Sequence, residues 1–404
     1  MEAIKNRYEF VFLFDVRDGN PNGDPDFDNM PRTDEETDQG LVSDVCIKRK
    51  VRNYIHLLKG LKTPYDIFIR EGNILNPLIQ EKRDEEELKA AAKYADFVEK
   101  CVANHETDSS VSEEQMKSLT EKIAAVRDAV SNKQSNAVGV VREKLDKAFK
   151  SILKENKWDG KEMNTANTAI EQNILKSGRL AMCAQYYDIR TFGAVMSTGE
   201  EKAEEKSTGE EKAEEESTGE EKVSEKKGKK KKANNKKRIK GLGVVRGPVQ
   251  FVFARSIDPI FSKSNSITRC CVTKESDEDK NNTIGNKYTV SYGLYRMHGF
   301  ISASDAAKTG FSEEDKELLF QALINAFEND HSAARGEMNP RALIVFKHDS
   351  PLGNARAGQL FDLVQVKLTE GVDFPRSFGD YEVTVPFQEE LDKKYPGVTV
   401  EVKI

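Results

Sequence analysis

The chain has 404 residues, 63 Lys and Arg against 69 Asp and Glu for a formal net charge of −6, with 37% hydrophobic and 33% charged residues. At about 150 residues per domain this is one large domain or two to three ordinary ones, and no apolar run approaches the roughly 20 residues of a membrane-spanning helix. The five histidines, His56, His105, His298, His331 and His348, are scattered, and there is no HExxH, GxxxxGK[ST] or GxSxG, which leaves zinc hydrolases, P-loop hydrolases and serine hydrolases without support. Cys46, Cys101, Cys183, Cys270 and Cys271 are odd in number and lack CxxC or Cys/His spacing, so they read as reduced and mostly buried. The start "MEAIKNRYEFVFLFDV" has no signal-peptide layout, and a cytoplasmic protein is expected.

"YEFVFLFDV", Tyr8 to Val16, is apolar on both faces, as a central strand would be, and the turn-rich "RDGNPNGDPDFDNMPRTDEETDQG" follows. In "LVSDVCIKRKVRNYIHLLKG" a helix is predicted: Ile47, Val51, Ile55 and Leu58 recur at helical spacing, while Lys48, Arg49, Arg52 and His56 fall away from that stripe. One face would be core and the other basic. From Pro77 to about Trp158 the pattern is helical and strongly charged, an inserted helical subdomain.

"YYDIRTFGAVM" alternates as a strand through Tyr187, Ile189, Thr191 and Gly193, and "GVVRGPVQFVFARS" reads as another through Val249, Phe251 and Phe253. Between them a decapeptide recurs from Ser197, Ser207 and Ser217. Glu200 to Glu225 carry twelve Glu and four Lys, and Lys226 to Lys240 carry nine Lys and one Arg. Such a segment cannot bury enough apolar area to offset its chain entropy, so disorder is expected. Two strands around a polar insert fit a long β-hairpin extended at its tip, because loop-closure entropy grows slowly with length.

Beyond it, "NKYTVSYGLYRMHGFIS" reads as a strand pair, "SEEDKELLFQALINAFEND" as an amphipathic helix capped by Ser312, and "RALIVFKHDS" and "GQLFDLVQVKL" as strands. The fold class is therefore α+β: strand, helix, strand, strand, helix, strand is a ferredoxin-like order, shared with RNA-recognition modules.

Two features carry candidate chemistry. Asp24, Asp26 and Asp28 sit two apart after the central strand, where carboxylates could hold Mg²⁺ for phosphodiester cleavage, although Asn, Asp, Gly and Pro at this density also make a tight turn. "KRKVR" directly after that loop could bind phosphates or simply be solvated. In "GLYRMHG", Tyr295, Arg296, Met297 and His298 suit either stacking on a base or filling a core.

Taken together, "NPNGDPD…PR…T…QGLVSDVCIKRKVRNY", "YYDIRTFGAVM", "GPVQFVFARSIDPI", "YGLYRMHGF" and "ENDHSAARGEMNPRALIVFKHDSPLGNA" resemble the Cas seven family of type I-C CRISPR systems, backbone subunits of the Cascade complex. The decapeptide repeat has no counterpart in that pattern. The resemblance implies a right-hand shape: a ferredoxin-like palm (1–60, 167–187, 256–404), helical fingers (61–166) and a thumb hairpin (188–255) with the repeat at its tip. It implies a non-catalytic prokaryotic protein without cofactor or metal. Several copies would stack along one CRISPR RNA with other Cascade subunits, pair the guide with target DNA and leave cleavage to a recruited helicase-nuclease.

The implied RNA contacts are Ser43, Lys48, Arg49 and Arg52 for phosphates, Phe192, Val195 or Met196 as an apolar wedge, and Asn20, Asn22, Arg190, Arg246, Arg255, Arg296, His298, Lys347 and Arg356. Related type III subunits cut RNA with an aspartate after the first strand. A metal-dependent ribonuclease using Asp24, Asp26 or Asp28 therefore stands as the alternative.

Overall fold

The computed structural model describes residues 2–103, 112–155, 161–196, 241–271 and 283–404. The decapeptide repeat and the Lys-rich run lie outside the described residues. Strand β1 (Tyr8–Gly19) leads through the short paired strands β2 (Gly23–Asp24) and β3 (Met30–Pro31) to β4 (Gln39–Val42) and helix α1 (Asp44–Lys59). Helices α2 (Leu75–Ala103), α3 (Glu113–Ser131), α4 (Ser135–Glu155), α5 (Lys161–Gln185) and α6 (Tyr187–Phe192) follow. Then come β5 (Gly193–Met196), β6 (Gly243–Arg246), β7 (Val249–Phe251), β8 (Ala254–Pro259), β9 (Ser262–Arg269) and β10 (Thr283–Ile301). The chain closes with α7 (Ala303–Thr309), α8 (Glu313–Asn325), β11 (Glu337–His348), α9 (Ala357–Phe361), β12 (Gln365–Leu368), β13 (Tyr381–Thr384), α10 (Gln388–Lys394) and β14 (Val398–Val402).

The main sheet runs β14-β11-β1-β10-β8-β4, with β7 and β9 also on β10, and its pairings are antiparallel. Tyr8 to Val16 are buried without a break, as the two-faced apolar pattern of β1 predicts, and alternation sends successive side chains into two cores. Phe10, Phe12 and Phe14 pack with Ile47, Val51 and Ile55 of α1 and with Leu319, Phe320 and Leu323 of α8. Val11 and Leu13 pack on the other face with Leu294, Ile344, Phe346, Leu360, Phe361 and Val398. The sheet is thus sandwiched between two helical layers. Leu58, placed on the core stripe by its spacing, is 47% exposed, one turn past the last residue the sheet covers.

The described residues fall into two compact units. Met1–Leu75, Ala169–Val195 and Val244–Ile404 make the first, and Asn76–Thr168 with Met196–Gly243 the second. The second has its own interior of Tyr94, Val98, Leu119, Val126, Leu145 and Phe149, with the Tyr94 hydroxyl donating to Asp146 Oδ1 at 2.8 Å and Arg83 Nη1 to the Gly241 carbonyl at 2.9 Å.

Several local expectations change. Tyr187 to Phe192 form a short helix instead of a strand, with all six residues buried, and the strand begins at Gly193. β5 and β6 pair as a two-stranded sheet, and the tip of the expected hairpin lies outside the described residues. Its base needs glycine: Gly193 has φ +79, and a Cβ on Gly247 would sit 2.2 Å from the Phe192 carbonyl carbon. The expected strand pair from Asn286 is instead part of one continuous 19-residue strand, β10, and the strand expected in "GQLFDLVQVKL" is α9 followed by β12. α8 starts at the expected Ser312 cap, and the structure adds a capping box in which Ser312 and Asp315 are bonded reciprocally. Of the cysteines only Cys183 is buried, while Cys270 and Cys271 are exposed.

Candidate nucleic-acid interface

At the end of β1 the turn loop feeds α1 through side-chain hydrogen bonds. Ser43 caps the helix, accepting from the Cys46 amide at 3.4 Å, and its own amide and hydroxyl donate to Asn22 Oδ1 at 2.9 and 2.8 Å. Asn20 Nδ2 donates to the Asn29 carbonyl at 2.7 Å, while its buried Oδ1 has no hydrogen-bond partner among the described residues. Asp24 accepts from the Asp26 amide at 3.1 Å and lies 3.2 Å from Arg32. Asp28 has φ +49 and accepts from the Tyr288 hydroxyl at 2.8 Å, and Asp26 is exposed. Two of the three carboxylates therefore shape the loop, and among the described residues no three His, Cys, Asp or Glu side chains gather around a common point.

The basic face of α1 is less open than its spacing implies. Lys48 pairs with Asp44 at 2.8 Å and lies 5.6 Å from the centre of the Phe192 ring, with 13% of its side chain exposed. Arg52 is buried; its Nε donates to Asp188 Oδ2 at 2.9 Å and its guanidinium lies over Phe192 at 5.3 Å. Asp188 also accepts from the amides of Phe68 and Ile69 at 2.8 and 3.0 Å, so Arg52 neutralises a buried carboxylate. Arg49 is the most open of the three, its side chain 69% exposed and 3.6 Å from the exposed Glu71 carboxylate. Lys50, inside the "KRKVR" run but not among the implied RNA contacts, is buried against Asp330.

Arg190 is a correction. Expected on the RNA surface, it is 2% exposed, grips Asp315 with two bonds of 2.9 and 2.8 Å, and donates to the carbonyls of Pro64 and Cys183 at 3.2 and 2.6 Å. Burial pulls its pKa down, but the Asp315 hydrogen bond and charge outweigh this and raise it. Phe192 and Met196 are likewise buried, which leaves Val195, 69% exposed, as the open wedge candidate. Val244 on the partner strand, 58% exposed, joins it, and the apolar pair in "GVVR" was the unused signal.

Arg246 is 79% exposed beside Asp305 at 3.4 Å, and Arg255 is half-exposed and holds Asp34 at 2.6 Å. Lys347 and Arg356 are exposed. Arg296 and His298 stand two apart on β10, on the face opposite α1. Arg296 Nε donates to His298 Nε2 at 2.9 Å, so that ring nitrogen carries the lone pair, and the ring stacks on Phe361 at 4.0 Å. Burial, then the Arg296 charge, hold the His298 pKa down at about 4. Among the expected contacts the exposed cations are therefore Arg49, Arg246, Arg255, Lys347 and Arg356, of which the first three are paired with Glu71, Asp305 and Asp34.

The family profile described as CRISPR-associated protein Cas7 matches residues 6–386. A CRISPR-associated protein Cas7 of Haloferax volcanii is 39% identical over 66 residues, 16% of this chain and 18% of its own length, so the alignment takes in less than a fifth of that relative. Among solved structures, a chain of a "CRISPR RNA-guided surveillance complex, pre-nicking" is 11% identical with a TM-score of 0.36, covering 84% of this chain and 78% of that one. A chain of another CRISPR RNA-guided surveillance complex is 12% identical with a TM-score of 0.24, covering 39% and 60%. The assignment rests on the profile, which takes in both cores of the sheet, the basic helix and the hairpin strands: the chain belongs to the CRISPR-associated protein Cas7 family.

Proposed function

We propose that this chain is a non-catalytic guide-RNA-binding backbone subunit of a type I-C Cascade complex in the cytoplasm of a prokaryote. The family match over residues 6–386 carries the reading. The first unit is the palm, and its β11-β1-β10-β7 order with α1 and α8 on one face is that of a ferredoxin-like sheet. The helices of the second unit are the fingers and the β5–β6 hairpin is the thumb. Arg49, Arg246, Arg255, Lys347 and Arg356 would meet RNA phosphates, and a guide of changing sequence requires contacts of that kind. Val195 and Val244 would displace a base where the thumb crosses the guide.

Copies would associate head to tail, an open arrangement that extends along the RNA, while base pairing reads the target DNA and a recruited helicase-nuclease cuts it. The test is co-expression with a CRISPR RNA and the partner subunits, followed by light scattering and the 260/280 nm absorbance ratio. A nucleic-acid-rich particle holding several copies is expected. An RNA-free monomer would overturn the proposal.

A further inference from the structure

Between β7 and β8 the register against β10 slips. Phe251 lies opposite Gly299, but Arg255 lies opposite Arg296, so the β7–β8 side carries one residue more than its partner: a β-bulge at Val252 and Phe253. In an unbroken strand two neighbours point to opposite faces. Here both emerge, 40% and 48% exposed, and both line one open cavity of about 470 Å³ whose other walls include Gln39, Arg255, Arg296 and His298.

The cavity has an apolar wall and a cationic floor. Arg296 gives its donors to neutral acceptors: His298 Nε2 at 2.9 Å, the Val364 carbonyl at 2.8 Å and the Phe361 carbonyl at 2.6 Å. Its charge is held in place by these bonds and balanced by none of them. Asp362 acts on it only through space, and His298, kept neutral beside it, contributes no negative charge. Arg255 adds a second guanidinium, partly offset by Asp34 at 2.6 Å. A half-buried cation whose hydrogen bonds among the described residues go to neutral groups, with the Asp362 charge acting on it only through space, favours an anion in the solvent-open space it faces.

We infer that this cavity is a nucleotide subsite, taking one nucleotide of a bound RNA with its base against Phe253 and Val252 and its phosphate toward Arg255 and Arg296. The inference rests on the guide-binding reading and adds a site to it. Cavities of roughly 300–1,000 Å³ hold ligands of this size. An aromatic face accepts any base and a guanidinium any phosphate, so the subsite is indifferent to sequence. Gln39, a side-chain amide on the wall, already spends its Nε2 on the Ile257 carbonyl at 3.3 Å, which leaves it little to read a base edge with.

The experiment uses the full chain and a single-stranded RNA carrying 5-iodouracil, whose base crosslinks to a stacked aromatic ring on irradiation. The crosslinked peptide is expected to contain Phe253. Phe253→Ala should weaken RNA binding about fivefold or more, as loss of one base stack does, while Phe253→Tyr stays within about twofold. Phe253 is half-exposed, so its variants should melt with the wild type; Val252→Ala, with the same expected direction, serves if Phe253→Ala does not fold. Wild-type affinity in the alanine variants, with crosslinks mapping elsewhere, overturns the subsite but not the guide-binding reading. Wild-type protein that binds no RNA overturns both.

Discussion

Arg190→Gln removes a cation from inside the fold and keeps most of the side-chain volume. It leaves the Asp315 carboxylate, whose side chain is 0% exposed, without its guanidinium partner, and the carbonyls of Pro64 and Cys183 compete for one amide. Breaking a buried pair from one side costs about 3–5 kcal/mol, most of it the desolvation of the charge left behind. Asp315 also accepts from the Ser312 amide and hydroxyl at 3.0 and 3.1 Å, so a displaced carboxylate loosens the start of α8 as well. Taking about 4 kcal/mol, and about 2–4 °C per kcal/mol for a unit of this size, the melting temperature should fall by roughly 10 °C. Arg190→Lys keeps the charge but cannot span both carboxylate oxygens and two carbonyls, and should lose about half as much. Urea denaturation of the purified chain followed by circular dichroism measures both. If Arg190→Gln is as stable as wild type yet RNA binding is lost, the guanidinium acts on ligand, and its assignment to the interior is wrong.

Asp24→Asn, Asp26→Asn and Asp28→Asn combined should leave the RNA-bound particle and its copy number unchanged, since the Asp24–Arg32 pair is a partly exposed one worth about 0–1 kcal/mol; Mg²⁺-dependent RNA cleavage by the wild type that vanishes in the triple variant would instead reinstate the nuclease alternative. His298, with a folded pKa of about 4 against 6.5 when unperturbed, favours the fold fully above pH 6.5 and progressively less as pH falls toward 4. His298→Gln should therefore flatten the stability loss in that window, which denaturation midpoints at pH 7, 5.5 and 4.5 would show. Gly247→Ala forces a Cβ to within 2.3 Å of the Gly193 nitrogen and should cost a few kcal/mol, whereas Gly358→Ala, with nothing within 4 Å, should be neutral or slightly stabilising; equal melting temperatures for the two would contradict the tight crossing at the hairpin base.

What could be seen in the sequence and what could not divides by how far apart the partners lie. β1, α1 and α8 were legible because apolar runs, periodicity and capping are local: the two-faced apolar run from Tyr8 to Val16, the Ile47, Val51, Ile55 stripe and the Ser312 cap need no knowledge of the rest of the chain. The stretch Tyr187 to Phe192 misled, because a short helix buried on every side shows no amphipathic period, and its alternation imitated a strand. The bulge at Val252 and Phe253 is invisible until β10 is laid beside it.

The basic residues make the same point more sharply. A Lys or Arg on a predicted helix face looks the same whether it meets solvent, a phosphate or a buried carboxylate. Only Lys48 carried its answer locally, through Asp44 four residues earlier. Arg52 is answered by Asp188 and Arg190 by Asp315, each more than a hundred residues away, and both acidic partners are themselves inside the fold. Charge read from sequence therefore overcounts the interface by the cations that hold the fold together. Arg296 marks the opposite case: its donors are satisfied by neutral groups, its charge is balanced by none of them, and in the sequence it stood as one of many implied RNA contacts in a strand that suited a core equally well. A ligand-binding cation is better recognised by what its bonds leave uncompensated than by how exposed it is, and on that criterion the cavity beside the bulge is a stronger candidate for touching RNA than most of the basic face of α1.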